Sequence, residues 1–188
     1  VDGKVGKALN FDGVDDYVKF PNNILTNLNE ITVYALVKLY SLPPSSDWGM
    51  KAIFLDRRTW SDIVLGPVGF NKRPFSFVTI FPSSNCSSGQ FIHTTYTPNS
   101  TTSLFVFYSI AGEYKQGTTR IYVNGDVLGE RFNLPTPFLR NCPGFGTFIG
   151  GDGFNGWGGY FNGLIDELRL YNRALSDAEI KALYDATK

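Results

Sequence analysis

Between Glu30 and Tyr40 the chain alternates at every step. Ile31, Val33, Ala35, Val37 and Leu39 fall on one side, and Thr32, Tyr34, Leu36, Lys38 and Tyr40 on the other. Period two is the geometry of an extended strand with one buried side, and a helix cannot satisfy it. Phe75–Phe81 and Ser103–Ile110 are further strand-like runs of aromatic and branched residues, and Leu164–Tyr171 reads as the last strand. In Arg120-Ile-Tyr-Val-Asn-Gly-Asp-Val-Leu128 the Asn124-Gly125 pair suits the positive φ angles of a type I′ turn, which predicts a hairpin. Twenty glycines and ten prolines, spread along 188 residues, supply turns between such strands. The expectation is an all-β, two-sheet antiparallel sandwich of the jelly-roll kind. No internal repeat and no linker divides the chain, so residues 1–188 are expected to form a single domain.

Helical spacing occurs once, near the C-terminal end. Ser176-Asp-Ala-Glu179 is a capping box, in which the Ser hydroxyl and the Glu carboxylate each satisfy an orphan amide. Leu175 and Ile180 are placed for a hydrophobic staple, and Ile180, Leu183 and Tyr184 form a narrow apolar stripe facing the sheets. This short helix is expected to be structural.

Composition narrows the function classes. Seventeen basic residues balance seventeen acidic ones, which removes the electrostatic footprint of a nucleic-acid binder and any polybasic membrane patch. No apolar stretch approaches ~18 residues, so membrane insertion is not expected. The chain begins at Val1 without Met or an apolar leader, as a mature or excised piece would. Cys86 and Cys142 are the only cysteines and His93 the only histidine, too few for a four-ligand zinc site. The cysteines are either one disulfide from an oxidising compartment or two unrelated thiols, and their turn-like contexts favour the bridge. Asn85-Cys-Ser87 and Asn99-Ser-Thr101 match the glycosylation sequon, a short pattern that chance often produces.

Two longer stretches resemble a known family. Gly6-Lys-Ala-Leu-Asn-Phe-Asp-Gly-Val-Asp-Asp-Tyr-Val18 is similar to the opening strand pair of laminin G-like, concanavalin A-like domains. Phe161–Ile180, which runs through Gly163-Leu-Ile-Asp-Glu-Leu-Arg-Leu-Tyr171, is similar to their closing strand and helix. Ile31–Lys38 and Arg120–Gly125 follow the expected order between them. The middle departs from the pattern: Phe91-Ile-His-Thr94 stands where the family usually has His-Val, and Gln90–Gly117 is longer and more irregular. The resemblance implies a concanavalin A-like jelly roll, often with a structural Ca²⁺. It implies function only broadly, because this fold hosts lectins, adhesion domains, carbohydrate-binding modules, glycosidases and lyases.

An enzyme of this kind would carry two glutamates and an aspartate alternating along one strand (Glu-x-Asp-x-Glu). No two of Glu30, Glu113, Glu130, Glu167 and Glu179 have that spacing, and Asp166 and Glu167 are adjacent, so they point to opposite faces of a regular strand. His93, flanked by Ile92, Thr94 and Thr95, reads as a strand histidine satisfied by its neighbours. Gly144–Gly163 is no phosphate cradle, since neither a helix nor Lys-Ser/Thr follows it. The expectation leans away from catalysis, with a polysaccharide hydrolase or lyase as the third reading and no catalytic residue named.

Binding has more behind it. Gly150–Tyr160 is a glycine-rich loop combining Trp157 and Tyr160, whose rings suit the C–H faces of sugars, with Asp152 and Asn155 for hydroxyls. Trp48 and Trp60, with Asp47, Arg57 and Arg58 nearby, form a second aromatic cluster. Loop aromatics also commonly fold back over a sheet edge, and that reading stands beside the functional one. The expected function is a non-catalytic, extracellular or cell-surface module recognising carbohydrate or glycoconjugate. The alternative is a structural or adhesive subunit that contacts itself or other surface proteins.

Two geometric expectations complete the reading. Residues 7–20 and 160–172 should form neighbouring strands. Along Leu164–Leu170 and Asp16–Phe20, Asp166 and Asp16 share the apolar face of their strands, where an unpaired carboxylate is costly. If the strands adjoin, Ca²⁺ would relieve their repulsion, with Asp12 as third ligand.

Overall fold

The computed structural model describes residues 1–22, 24–25, 28–43, 50–58, 63–68, 73–83, 86–96, 103–134, 142–151 and 158–188. In chain order these form β1 (Leu9–Asp12), β2 (Val18–Lys19), β3 (Glu30–Leu39), β4 (Met50–Lys51), β5 (Phe54–Arg58), β6 (Ile63–Val68) and β7 (Arg73–Pro82). There follow β8 (Gly89–Tyr96), β9 (Phe107–Lys115), β10 (Thr118–Val123), β11 (Asp126–Arg131), β12 (Gly144–Ile149), β13 (Gly158–Gly159), β14 (Asn162–Tyr171) and helix α1 (Asp177–Asp185). None of the described helix is long and apolar enough to cross a membrane.

The strands build two stacked sheets. One runs β1-β14-β3-β9-β10-β11, antiparallel throughout. In the other, β4 and β5 lie end to end along one side of β6, with β12 and then β2 beyond β5, and β7 and β8 on the far side of β6. Among the described strands only the short β13–β4 pair is parallel. Alternation places Ile31, Val33, Ala35, Val37 and Leu39 of β3 against Phe54, Leu65, Phe75 and Phe77 of the second sheet. The hairpin falls at Asn124-Gly125, with φ of 54° and 83°.

Strand β3 departs from the expectation of a single buried side. Tyr34 and Leu36, on its other face, are also buried, packed with Ala111, Tyr122, Leu175 and Ile180. Helix α1 covers this outer face, and its capping box forms as predicted, the Ser176 hydroxyl accepting from Glu179 N–H. Arg173 and the Ser176 amide and hydroxyl hold the Glu179 carboxyl down at about 2. The run expected from Ser103 begins only at Phe107, because Leu104–Phe105 turns, with Phe105 at φ 62°. Cys86 and Cys142 are bonded, with Cα atoms 5.8 Å apart, joining the β7–β8 turn to the approach of β12.

The chain ends meet in part. Strand β1 pairs with β14, Leu9 opposite Ile165 and Asp12 opposite Asn162. Strand β2, however, leaves for the second sheet, where Val18 and Lys19 pair with Ile149 and Phe148 of β12. Strand β14 carries a bulge at Glu167 (φ 49°), where its register to β3 shifts between Asp166 and Arg169. An extra residue reverses the alternation beyond it. Ile165 before the bulge and Leu168 and Leu170 after it therefore all face the inter-sheet core. Asp166, opposite Leu36, faces the outer side.

Candidate functional site

The β1–β2 turn, the end of β3 and the approach to β14 converge on a small cleft of about 100 Å³. Gly13, Ser41, Lys51, Tyr160, Phe161 and Asn162 are among its lining residues. Each is placed by a strand end. Asn162 opens β14, and its Nδ2 donates to Ser41 Oγ at 2.9 Å. Tyr40 N–H donates to Asn162 O at 3.0 Å, which ties the end of β3 to the same point. Gly13 needs to be glycine twice over: its φ is +83°, and a Cβ there would stand 2.8 Å from Asn162 Cβ. The Tyr160 ring lies 6.4 Å from that of the exposed Tyr17, which in turn is 6.2 Å from Phe148. Tyr17 thus neighbours the cleft residue Tyr160, with the buried Phe148 ring on its other side.

Beside the cleft, the β1–β2 turn gathers three carboxylates. Asp12, Asp15 and Asp16 each bring an oxygen within 4.8 Å of the others. Asp12 Oδ1 accepts the Val14 N–H at 2.7 Å, and Asp16 Oδ2 accepts the Asp12 N–H at 3.0 Å. The turn is thus ordered by its own aspartates. Asp166 is not among them. Its Oδ2 accepts the Lys4 and Val5 N–H groups at 2.8 and 2.9 Å, fastening the N-terminal segment across the outer face of the sheet. The expected Asp16–Asp166 meeting fails for two reasons: β2 departs to the other sheet, and the bulge turns Asp166 outward. Asp15 was not foreseen, because the strand reading stopped at Asp16.

Of the residues singled out in the sequence, Tyr160 lines the cleft, while Trp48, Trp60, Asp152, Asn155 and Trp157 lie outside the described residues, as do Asp47 and the sequon residues Asn85 and Asn99. Arg57 stacks on the exposed Phe145 ring at 5.3 Å, whereas Arg58 turns inward to pair with Asp56. His93 sits within β8, opposite Val78.

A second polar group was invisible to sequence reasoning. On the outer face under α1, Tyr122 hydroxyl donates to Asp177 Oδ1 at 2.8 Å and lies 3.2 Å from Glu113 Oε2. Arg120 pairs with Glu130 and reaches Asp177 at 3.5 Å. Burial raises the Glu113 carboxyl above its ordinary value against the pull of Arg120 and Tyr122, and burial with the Glu113 charge pushes the Tyr122 phenol up. The signal was the shared face of Glu113, Arg120 and Thr32, which only strand register reveals.

The model of the concanavalin A-like lectin/glucanases superfamily matches residues 12–181. The chain belongs to that superfamily. Among solved members with similar structure is domain 4 of AbnA, a GH43 extracellular arabinanase from Geobacillus stearothermophilus, in complex with arabinotriose. It shares 21% identity at a TM-score of 0.65, over 98% of this chain and 79% of that one. Trypanosoma rangeli sialidase in complex with 2,3-difluoro-KDN matches at 18% identity and a TM-score of 0.63 over 96% of this chain, which spans only 27% of the sialidase. A heptameric SAP-like pentraxin from Limulus polyphemus matches at 15% and 0.55, over 92% of this chain and 83% of the pentraxin. At these identities the likeness shows the superfamily fold alone. No curated protein sequence matches the chain.

Proposed function

We propose that this chain is a non-catalytic, extracellular carbohydrate-binding module whose ligand lies in the cleft beside Tyr160. The observation that carries the reading is the donor set there. A Tyr160 ring stands with the Ser41 hydroxyl, the Asn162 amide and the Lys51 ammonium, the mixture that packs sugar C–H faces and hydrogen-bonds their hydroxyls. Arabinotriose with the AbnA domain and difluoro-KDN with the sialidase support a saccharide as the ligand class. The disulfide supports an oxidising compartment. A glycan array on this chain, followed by calorimetry, tests the reading. Tyr160→Ala should weaken binding of the best glycan by about tenfold or more, as loss of a stacking ring does, without moving the melting temperature. An array with no binder, or a binder indifferent to Tyr160→Ala, removes the cleft from consideration.

Asp12, Asp15 and Asp16 fit a structural Ca²⁺, in place of the set with Asp166. Hard carboxylate oxygens are what this ion prefers, at ~2.3–2.6 Å, and Asp12 Oδ2, Asp16 Oδ1 and both Asp15 oxygens are not those that accept the turn's own amides in the bonds above. The ion would brace the β1–β2 turn that forms one wall of the cleft. A chelator should then lower the melting temperature of the wild type and leave Asp15→Asn unchanged. Identical melting with and without chelator, and no metal on elemental analysis, would retire the ion.

One observation favours the adhesive reading. Leu104, Phe105 and Val106 are exposed at 38%, 64% and 44%, and Phe105 stacks on Tyr40 with ring centroids 5.4 Å apart. Exposed aromatics of this sort anchor contacts between protein surfaces. Concentration-dependent polymer on size exclusion, abolished by Phe105→Ser, would transfer the assignment to a self-associating subunit.

A further inference from the structure

The outer face of the first sheet holds a second pocket, of about 230 Å³, which shares no lining residue with the cleft among the described residues. Its floor is Leu36, Phe107 and Ser109, and its walls are Lys4 on one side and Tyr184 and Lys188 on the other, with Asn124 contributing from the hairpin. Each wall is held in place. Asp166 grips the Lys4 and Val5 amides. Gly3 lies so close to that carboxylate that a Cβ would stand 2.5 Å from its Oδ2. Asn124 Oδ1 accepts the Ser109 N–H at 3.1 Å, so the side chain presents its N–H donors. The Thr187 hydroxyl lies 3.1 Å from both Leu183 O and Tyr184 O, which fastens the end of α1. A site with its walls already fixed loses little freedom on binding.

The charge of this pocket is one-sided. Lys4 and Lys188 line it, and Lys38, next to them on the same face, holds its Nζ 4.7 Å above the Phe107 ring. Among the described residues no Asp or Glu side chain lines the pocket. Lys188 pairs at 3.0 Å with the exposed Asp185, but Lys4 and Lys38 form no ion pair among the described residues. Asp166, another acid of this face, turns its Oδ2 to the Lys4 and Val5 amides. The negative end of α1 amounts to about half a charge, less than the ammonium groups around it. The fold thus gathers Lys4, Lys38 and Lys188, far apart in sequence, on one face.

We propose that this pocket binds a carboxylated sugar residue. The carboxylate meets Lys4 and Lys188, the apolar face of the ring rests on Phe107, and a ring hydroxyl accepts from Asn124. The aromatic floor favours a whole sugar unit over a free inorganic anion, which has no apolar face to rest on it. The inference goes beyond the cleft at Tyr160 and does not depend on it.

The test is titration of the full chain with trigalacturonate, followed by calorimetry and amide chemical shifts. Shifts should gather at Lys4, Phe107, Ser109 and Asn124. Each of Lys4→Gln and Lys188→Gln should weaken binding about tenfold, the usual worth of a charge-assisted hydrogen bond. Raising the salt should weaken it further. The methyl ester of trigalacturonate, equal in shape but uncharged, should not bind. Tyr160→Ala should leave the titration unchanged, so failure of the cleft and failure of this pocket give different results. The proposal is overturned if the ester binds as well as the acid, if the lysine variants bind like the wild type, or if Tyr160→Ala abolishes binding. It is also overturned if inorganic phosphate matches trigalacturonate in affinity, since the pocket would then be a simple anion site.

Discussion

Asp56 and Arg58 lie inside the sandwich with side chains 0% and 4% exposed, and removing one of them is the sharpest test of how this core is organised. Asp56 accepts from Arg58 Nε at 3.0 Å, from Thr147 Oγ1 at 2.8 Å and from Leu25 N–H at 3.3 Å. Arg58 Nη2 donates to Leu25 O, and Ile24 N–H donates to Thr147 Oγ1 at 3.0 Å. One ion pair thus ties β5, β12 and the segment at Ile24-Leu25 together. Asp56→Ala leaves a guanidinium buried without its counter-charge, which costs about 3–5 kcal/mol. For a chain of this size that lowers the melting temperature by roughly 6–20 °C. Arg58→Met removes the cation paired with that buried carboxylate and should cost a similar amount. The double variant Asp56→Leu/Arg58→Met removes both charges at nearly constant volume, and such replacements are often neutral or better. Urea unfolding of the four proteins forms a double-mutant cycle. The expected result is a double variant far more stable than the sum of the single losses. Single losses below about 1 kcal/mol, or strict additivity, would show that the pair is solvated or that its partners act independently, and the reasoning would fail.

Reducing Cys86–Cys142, which spans 56 residues, should cost about 4 kcal/mol by the chain-entropy model; urea curves that coincide with and without reductant would contradict it. Burial raises the Glu113 carboxyl from its ordinary 4.5, so the fold favours the protonated form. That contribution is fully present below 4.5 and is lost as pH rises through the raised value. Glu113→Gln should therefore gain on the wild type between pH 4 and 7, and parallel stability–pH profiles would count against the buried acid. Gly112→Ala should destabilise by about 1–3 kcal/mol as an overpacked core does, because its Cβ would stand 2.2 Å from Cδ2 of the fully buried Phe77; a variant as stable as wild type in thermal unfolding would refute the close approach.

What the sequence determined by itself were the features written in neighbouring residues. The alternation of Ile31 to Leu39, the Asn124-Gly125 turn and the Ser176–Glu179 capping box all formed where they were read, because each depends on backbone geometry within a few positions. The pairing of Leu9–Asp12 with Asn162–Ile165 was legible from the end motifs. Tertiary structure alone decided the rest. A single bulge at Glu167 moved Asp166 from the expected core face to the outer one. The departure of Val18-Lys19 to the second sheet separated Asp16 from Asp166 and left the carboxylates of Asp12, Asp15 and Asp16 together in one turn. The Glu113–Tyr122–Asp177 group and the lysine-rimmed pocket join residues far apart in sequence. Their physical reason is common: a one-residue change of register reverses every side chain beyond it, and register is set by the partner strand, which no local pattern can name.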